Sequence, residues 1–505
     1  MITNFYKTFL IPNSRRNIMI DRWKIILAAC LCFGTQTIFS QSVPAPLKCF
    51  LDKPMVRGAS VALMVKEVSK GDVIYEYESK RLLTPASVMK TITAAAALEI
   101  LGENFRFETS VSYDGEIRDG ILHGNLYLCG SGDPTLNSSE LDTPKDSVLM
   151  LWAAGIRKAG IREVAGALIA DESIFDTEGV SMKWMREDLG SEYGQGSYGL
   201  NIFDNQFRLY LESGVAGTTP TIKYCEPDIP SLTFHNYLKA LPASTDSCFI
   251  IGFPFSNERY LYGAIPTRCS HFKLIGDIPD PALFSARYVH TFLQREGIRI
   301  KGAPSCHRIL SQAGQWKETS RKTLITTYSP PLKELTRIFC FVSHNLYADA
   351  VFKTLGLRYA PSSKEAISSF GRGAQVITQY WKQKGIDTSS LRMFDGSGLA
   401  ITNKVTAEFL CDVYTYMAMR SKASEAFVHS LPQAGIDGTL RNMMKGSSLQ
   451  GKARLKSGSM SRVLCYGGYI DHDGKRYAVV ILVNNFTGKS RRMKASIEEL
   501  LLSLF

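Results

Sequence analysis

The chain has 505 residues, of which 45% are hydrophobic and 21% are charged, and its mean hydropathy is −0.05. These values are typical of a globular protein and exclude a disordered chain or a polytopic membrane protein. The formal net charge of +12 is modest for so large a surface, and no segment interleaves aromatic residues with dense lysine and arginine. Nucleic-acid binding is therefore not expected. At this length, two or three domains are expected.

Residues 1–41 have the pattern of a secretory signal peptide. A basic region ends at Lys24, an apolar run follows from Ile25 to about Phe39, and small or polar residues follow at 40–42. The apolar run is too short to span a bilayer. We therefore expect an exported protein of the periplasm or cell envelope, with at most peripheral membrane association. A lipoprotein-type cleavage at Cys30 is an alternative.

The cysteines argue against a disulfide-stabilised scaffold. Two of the eleven cysteines lie in the leader, which leaves an odd number in the remainder of the chain. The sequence has no Cys-x-x-Cys pair and no histidine cluster with metal-ligand spacing, so we predict neither a metal site nor a cofactor.

The first elements after the leader are a β-hairpin and a buried helix. Residues 59–68 and 73–77 are apolar or alternating runs on either side of a turn. The helix should begin at Pro85 with Thr84 as its N-cap, and it should end at Leu101 before Gly102. Its residues are almost all apolar, which predicts burial on nearly all sides.

Ser87 and Lys90 lie in the first turn of this helix. Side chains three residues apart share a helix face, so the amine of Lys90 should reach the hydroxyl of Ser87 at the positive end of the helix dipole. A buried lysine has a lowered pKa and can act as a base. Either residue by itself would ordinarily be a helix cap or a solvated side chain.

The middle of the chain changes character. Short β-like runs at 107–113, 124–129 and 165–170 alternate with loops rich in glycine, proline and serine, and the last of these runs ends at Asp171. We interpret residues 106–325 as one or two mostly β domains that are inserted between two segments of another domain.

Helices and then strands complete the chain. The predicted helices cover 332–342, 346–355, 363–384 and 406–420, and the predicted strands cover 453–456, 463–470 and 476–484, with a break at 457–459 and a last helix from about Arg491. Residues 42–105 and 326–505 should therefore form one α+β domain, an antiparallel sheet flanked by helices.

Three short motifs stand in order at 87–90 (Ser-Val-Met-Lys), 343–345 (Ser-His-Asn) and 456–458 (Lys-Ser-Gly). Together they match the three-motif signature of penicillin-binding proteins and β-lactamases. The chain resembles the low-molecular-mass class C penicillin-binding proteins, which are D-alanyl-D-alanine carboxypeptidases and endopeptidases. The resemblance runs from about residue 55 to the end of the chain, and this class is similar in carrying an insertion between its first two motifs. It implies a transpeptidase domain like that of penicillin-binding proteins and β-lactamases.

The resemblance also implies chemical roles. Ser87 would attack the carbonyl of the penultimate D-Ala, and Lys90 would take the Ser87 proton, although related enzymes leave open whether the lysine is itself the base. Ser343 would relay a proton to the departing nitrogen, with Lys456 alongside to bias its acidity. Asn345 would hold Lys90 and the substrate backbone. The N–H groups of Ser87 and Ser459 would form the oxyanion hole.

Four further residues would bind substrate. Lys456 and Ser457 would bind the terminal carboxylate, and Gly458 would allow the substrate to approach the strand closely. Asp171 resembles a family aspartate near the cleft, although a plain turn residue would also fit there. Ser457 stands where the family usually has threonine, and the middle residue of the second motif is histidine where relatives often have aspartate.

The expected function is a serine-type D-Ala-D-Ala carboxypeptidase or endopeptidase. Its substrates would be peptidoglycan stem peptides that end in D-Ala-D-Ala, cleaved through an acyl-enzyme, and β-lactams would be covalent inhibitors. A β-lactamase is disfavoured because no Glu-x-x-Leu-Asn segment supplies a deacylating base. A catalytically silent scaffold that binds peptidoglycan is disfavoured because all the expected polar groups are present. The sequence leaves open the balance between the two peptidase activities.

Overall fold

The computed structural model describes residues 43–242, 247–358 and 367–505. The predicted signal peptide at 1–41 lies outside the described residues. Residues 46–505 form one compact unit, and the domain boundaries at 105/106 and 325/326 stay a prediction. Within the described ranges, no helix is long and apolar enough to cross a membrane.

The sheet that carries the third motif combines both ends of the chain. Its five antiparallel strands follow the spatial order β2-β1-β22-β21-β20. Their bounds are β1 Ser60–Glu67, β2 Val73–Tyr77, β20 Ala453–Met460, β21 Val463–His472 and β22 Lys475–Asn484. The hairpin β1-β2 could be predicted from its alternating pattern, and the structure confirms it.

The sheet is covered on both faces. In the central strand β22, Val480 and Leu482 belong to one buried cluster, whereas Val479, Ile481 and Val483 belong to another. This alternation follows from the two-residue period of a strand, whose successive side chains point to opposite faces. A strand buried on both faces is an almost continuous apolar run, as the sequence of β22 is.

Helices pack on the two faces. Most of those that follow the insertion end close to their predicted limits, whereas the short helix Ser424–Ser430 was not predicted. The helices of this part of the chain are α1 Ala45–Leu51, α2 Met89–Ile100, α6 Leu332–Phe341, α7 Asn345–Gly356, α8 Ser369–Gln383, α9 Ala407–Met419, α10 Ser424–Ser430 and α11 Ser490–Leu504. Residues 359–366, where the third helix after the insertion was predicted to begin, lie outside the described residues.

Helix α2 is the buried helix that the sequence predicts, but it begins differently. Every residue from Met89 to Leu98 is buried, and Gly102 follows the helix with a positive φ of 85°. The start is a 3-10 turn at Ala86–Val88, and the predicted N-cap role of Thr84 is wrong. The Thr84 N–H instead donates to Asn484 Oδ1 at 2.8 Å, a contact between residues 400 positions apart.

The inserted segment has its own buried cluster, which is built around residues such as Trp152, Phe207 and Leu261. Its sheets follow the orders β10-β9-β16, β11-β14-β13, β12-β15, β17-β7-β5-β4 and β18-β8-β6-β3-β19. The strands are β3 Glu108–Tyr113, β4 Glu116–Arg118, β5 Ile121–His123, β6 Leu126–Cys129, β7 Glu163–Val164, β8 Leu168–Asp171, β9 Gln206–Glu212, β10 Thr221–Glu226, β11 Thr233–Asn236, β12 Lys239–Leu241, β13 Phe249–Gly252, β14 Glu258–Tyr262, β15 Ala264–Pro266, β16 Phe272–Asp277, β17 Arg299–Ile300, β18 Ser305–Cys306 and β19 Lys322–Tyr328.

The insertion also contains helices that the sequence analysis did not predict. They are α3 Ser147–Lys158, α4 Pro281–Arg295 and α5 His307–Gln312. Helix α4 carries a recognisable start signal, because Asp280 caps it by accepting from the Leu283 N–H and Pro281 occupies its first position.

The third motif lies within a strand, so the predicted break at 457–459 is wrong. Strand β20 continues to Met460 and pairs with β21 residue by residue, including Lys456 with Gly467 and Gly458 with Cys465. Because β20 lies at the sheet edge, one side of its backbone is not paired within the sheet.

Ile481→Ala should lower the free energy of unfolding by about 2 to 5 kcal/mol, because it leaves a cavity in the centre of the sheet. Ile481 is fully buried in β22, whereas Ile74 in the edge strand β2 is 42% exposed. Ile74→Ala is the matched control and should change the stability by about 0.5 kcal/mol or less. Urea unfolding followed by fluorescence measures both changes. Equal losses for the two variants would contradict this account of the sheet.

Candidate active site

The first motif brings Ser87 and Lys90 together as predicted. Lys90 Nζ lies 3.1 Å from Ser87 Oγ. Ser87 belongs to the 3-10 turn, where the preceding residue, Ala86, has a positive φ of 47°. A left-handed conformation is costly for alanine, so the surrounding packing must hold this turn in place.

Lys90 is fully buried, and two carbonyl oxygens surround its amine. Nζ donates to Asn345 Oδ1 at 2.7 Å and to the Ser397 carbonyl at 2.6 Å. The second motif therefore reaches the first through Asn345, at the start of α7. The Ser397 contact comes from the segment between α8 and α9, outside the three motifs.

The second and third motifs also meet. Lys456 Nζ donates to Ser343 Oγ at 3.0 Å and to the Ser457 carbonyl at 2.6 Å. Ser343 has a φ of 65° in the break between α6 and α7, so this residue is also held in the left-handed region. Ser457 Oγ donates to Thr439 Oγ1 at 2.9 Å, which adds a hydroxyl that the sequence analysis did not identify.

Strand β20 passes directly against the Ser87 turn at Gly458. A Cβ atom on Gly458 would lie 2.5 Å from the Pro85 carbonyl oxygen and 3.0 Å from the Ser87 nitrogen. Only glycine allows this approach without displacing the turn. The next residue, Ser459, is exposed, so the strand leaves the interior beside the serine.

Burial dominates the electrostatics of the two lysines. Loss of solvent lowers the pKa of Lys90 to about 8, although the buried carboxylates of Asp349 and Asp395 act in the opposite direction. Burial, together with repulsion from Lys90, lowers the pKa of Lys456 to about 7. Both amines therefore exchange protons close to neutral pH, as catalytic lysines must.

The middle residue of the second motif points away from this cluster. His344 lies with Nε2 3.6 Å from Asp204 Oδ1, a residue of the insertion. Burial lowers the pKa of His344, and the charge on Lys90 lowers it further while Asp204 opposes both. His344 thus connects the second motif to the insertion.

A loop of the insertion also reaches the site. Asn345 Nδ2 donates to the Tyr193 carbonyl at 3.0 Å, and Trp184 Nε1 donates to Asp395 Oδ2 at 2.8 Å. Tyr193 itself is 58% exposed. The sequence offered no motif that identifies these contacts, because their partners lie about 150 to 210 residues away.

Asp171 is not part of the cluster that the three motifs form. Its Oδ2 accepts from Arg321 Nη1 at 2.5 Å, and its Oδ1 accepts from the Ser173 N–H at 3.1 Å. These contacts lower the pKa of Asp171 despite its partial burial. Among the hydrogen bonds of the described residues, none links Asp171 to the cluster. Its substrate-binding role stays a prediction.

Within the part of the chain that the structure describes, no group of three or more His, Cys, Asp or Glu side chains could hold a metal ion. What the cluster offers is a hydroxyl next to a buried amine, a second hydroxyl next to a second amine, and an edge strand, which suits acyl transfer through a serine.

Comparison with known proteins identifies the family. A family model described as D-Ala-D-Ala carboxypeptidase 3 (S13) matches residues 44–502, which is most of the chain. The chain belongs to this peptidase family. The S13 peptidase is thus a serine-type D-Ala-D-Ala carboxypeptidase that acts on peptidoglycan, which confirms the function expected from the sequence.

Two relatives support this assignment, and one solved structure shows the same fold. The D-alanyl-D-alanine carboxypeptidase of Actinomadura sp. (strain R39) is 28% identical over 458 residues, which cover 87% of this chain and 80% of the relative. The D-alanyl-D-alanine carboxypeptidase DacB of Haemophilus influenzae is 26% identical over 442 residues, which cover 86% of this chain and 88% of that relative. The crystal structure of penicillin-binding protein 4 from H. influenzae is similar with a TM-score of 0.76 at 24% identity, covering 88% of this chain and 96% of that one. The last similarity confirms the predicted fold.

Gly458→Ala should reduce acylation of the S13 peptidase by penicillin about 100-fold, because a methyl group there displaces the Ser87 turn by a fraction of an ångström to an ångström. Stopped-flow acylation with a fluorescent penicillin measures the rate, and thermal unfolding shows that the variant is folded. Acylation at the wild-type rate would mean that β20 does not press against the turn.

Proposed function

We propose that this chain removes the terminal D-Ala from peptidoglycan stem peptides that end in D-Ala-D-Ala, through an acyl-enzyme on Ser87. The observation that carries the proposal is the position of Lys90 Nζ, which lies 3.1 Å from Ser87 Oγ and between two carbonyl acceptors in a fully buried site. A buried amine with this geometry can take a proton from the serine.

The acceptors around Lys90 determine the direction in which the lone pair of its neutral amine points. A neutral amine has two hydrogens and one lone pair. The carbonyl oxygens of Asn345 and Ser397 can only accept, so they take both hydrogens. The lone pair is then directed at Ser87 Oγ, whose hydroxyl can donate.

The acylation step follows from this arrangement. The Ser87 hydroxyl gives its proton to Lys90 while Oγ forms a bond to the carbonyl carbon of the penultimate D-Ala. The oxygen of that carbonyl takes up the electron pair and is stabilised by the N–H groups of Ser87 and Ser459. Loss of one such donor typically costs about 3 to 4 kcal/mol of transition-state stabilisation.

Ser343 and Lys456 supply the proton that the leaving amine needs. When the carbonyl re-forms and the bond to the terminal D-Ala breaks, Ser343 donates its hydroxyl proton to the departing amine. Lys456, whose ammonium donates to Ser343 Oγ, replaces that proton. Water then attacks the carbonyl carbon of the acyl-enzyme and gives its proton to the neutral Lys456. The bond from that carbon to Ser87 Oγ breaks, Lys90 returns its proton to Oγ, and the shortened peptide leaves.

Lys456 and Ser457 would also bind the terminal carboxylate of the substrate. The ammonium of Lys456 supplies charge beside the edge strand, and the Ser457 hydroxyl supplies a donor that can turn from Thr439 to the substrate. Serine keeps the hydroxyl that threonine provides in relatives, so the substitution preserves this hydrogen bond. Asp171 would contribute to substrate binding only if its ion pair with Arg321 opened.

β-lactams would acylate Ser87 in the same way. Penicillin-binding protein 4 of H. influenzae has been solved in complex with a β-lactam, and its structure is similar to this chain with a TM-score of 0.70. We infer that the complex with Ser87 persists, since the sequence has no segment that supplies the deacylating base of a β-lactamase. The substrate places the enzyme in the cell envelope, and the leader would direct it to the periplasm.

Incubation with fluorescent penicillin, followed by peptide mapping of the adduct, tests the proposal. We expect one acyl group on Ser87 and no labelling of Ser87→Ala, together with release of D-Ala by the wild type only. Ser87→Ala should bind a D-Ala-D-Ala peptide with little change, because it lacks only the nucleophile. Labelling at another residue, or an unlabelled folded wild type, would contradict the proposal.

The rate of acylation should depend on pH as a bell with its maximum between about pH 7 and 8. Lys90 must be neutral to accept a proton, and its neutral fraction rises as the pH rises through about 8. Lys456 must be charged to hold a carboxylate, and its charged fraction falls as the pH rises through about 7. The two limbs belong to the interacting buried groups together, which include Asp349, whose pKa burial raises to about 8. A rate that keeps rising up to pH 10 would contradict the lowered pKa of both lysines.

A further inference from the structure

The carbonyl of Ser397 is one of two acceptors that direct the Lys90 amine, and its position depends on the turn at 395–398. This turn lies between α7 and the Ser87 turn. A Cβ on Gly396 would lie 2.4 Å from Phe352 Cβ, and a Cβ on Gly398 would lie 2.0 Å from the Ala86 carbonyl oxygen. Small movements of the turn therefore change both the Ser87 turn and the acceptor of Lys90.

One carboxylate oxygen holds the apex of this turn. Asp349 Oδ1 accepts from the Gly396 N–H at 2.8 Å and from the Ser397 N–H at 2.9 Å. Asp349 is 1% exposed and lies on α7, one helical turn after Asn345. The same helix therefore supplies Asn345 as one acceptor for Lys90 and, through Asp349, holds the other.

A second tether comes from α2, the helix that follows the Ser87 turn. Thr93 Oγ1 donates to the Gly396 carbonyl at 2.8 Å. Asp349 and Thr93 thus hold Gly396 through its N–H and its carbonyl, from two different helices.

We propose that Asp349 is a positioning residue for the peptidase reaction, because it fixes the Ser397 carbonyl that directs the Lys90 lone pair at Ser87. Asp349 touches neither the substrate nor the reacting atoms. This inference rests on the proposed function, in which Lys90 accepts the Ser87 proton. The proposed positioning depends on the Asp349 oxygen that accepts from the N–H groups of Gly396 and Ser397, and not on the charge of Asp349.

The turn needs an acceptor at Asp349 because the adjacent N–H groups of Gly396 and Ser397 both donate to it. Without it, both N–H groups would be buried and unsatisfied, and the turn would rearrange to satisfy them. The Ser397 carbonyl would then leave Lys90, and the free N–H of the neutral amine could be directed at Ser87 in place of the lone pair. Binding of substrate, which uses the edge strand, would change far less than the chemical step.

Single-turnover acylation by fluorescent penicillin, over a range of concentrations, separates binding from chemistry. Asp349→Ala should slow the acylation step about 100-fold while the non-covalent dissociation constant changes by about threefold or less. Asp349→Asn keeps a carbonyl oxygen at the same place and should acylate within about threefold of the wild-type rate. The rates are expressed per folded molecule, from the end point of labelling and the near-ultraviolet circular dichroism.

Asp133→Ala is the matched control. Asp133 is a buried aspartate, 3% exposed, that accepts from the N–H and hydroxyl of Thr135 within the insertion. Its loss should lower stability and leave the acylation step at the wild-type rate. If Asp349→Ala does not fold, Thr93→Val removes the other tether of the turn and should slow acylation about tenfold.

The outcomes distinguish the two claims. A wild type that is not labelled at Ser87 overturns the proposed function and this inference with it. Normal labelling of the wild type together with a wild-type acylation step in folded Asp349→Ala, or in Thr93→Val, overturns the inference alone. Equal slowing of Asp349→Asn and Asp349→Ala also overturns it, because the charge would then matter and the acceptor oxygen would not.

Discussion

The site depends on the burial of one amine. Lys90 lies on a helix that is buried over its first ten residues, so its ammonium form loses the water that would stabilise it. Carboxylates near the amine reduce this cost without removing it, and the pKa settles close to 8. A lysine on the protein surface would stay protonated and could not take a proton from a serine. The apolar surroundings of the helix are therefore part of the chemistry.

Distant parts of the chain meet around this amine. The Ser87 turn and the helix of Lys90 come from the beginning of the chain. Asn345 is the first residue of α7, Ser397 comes from a later turn, and Lys456 comes from the edge strand near the end. Left-handed φ values at Ala86 and Ser343 show where the backbone is held against its preference. Strain of this kind persists only where surrounding contacts determine the conformation, and such positions are concentrated at functional sites.

Much of this arrangement could be predicted from the sequence. Apolar periodicity indicated the hairpin, the buried helix and the strands at the end of the chain, and the three motifs identified Ser87, Lys90, Asn345, Ser343 and Lys456 before any geometry was known. The errors have physical causes. Threonine is a common N-cap residue, but the Thr84 N–H donates to Asn484 at the end of a distant strand. The local sequence cannot indicate a partner 400 residues away. Gly458 looked like the end of a strand because glycine often interrupts strands, yet here it permits contact with the Ser87 turn. The contributions of Ser397 and Tyr193 come from backbone carbonyls, whose positions no side-chain motif can indicate.

The central claim is that burial makes Lys90 a neutral base at physiological pH. A direct measurement is the NMR titration of the ¹³Cε signal of Lys90 in Ser87→Ala, assigned by its absence in a Lys90→Met variant. The account predicts a pKa of about 8 for this amine. A pKa near 10.5, the ordinary value for lysine, would contradict it, because Lys90 would then be protonated when it is required to accept a proton.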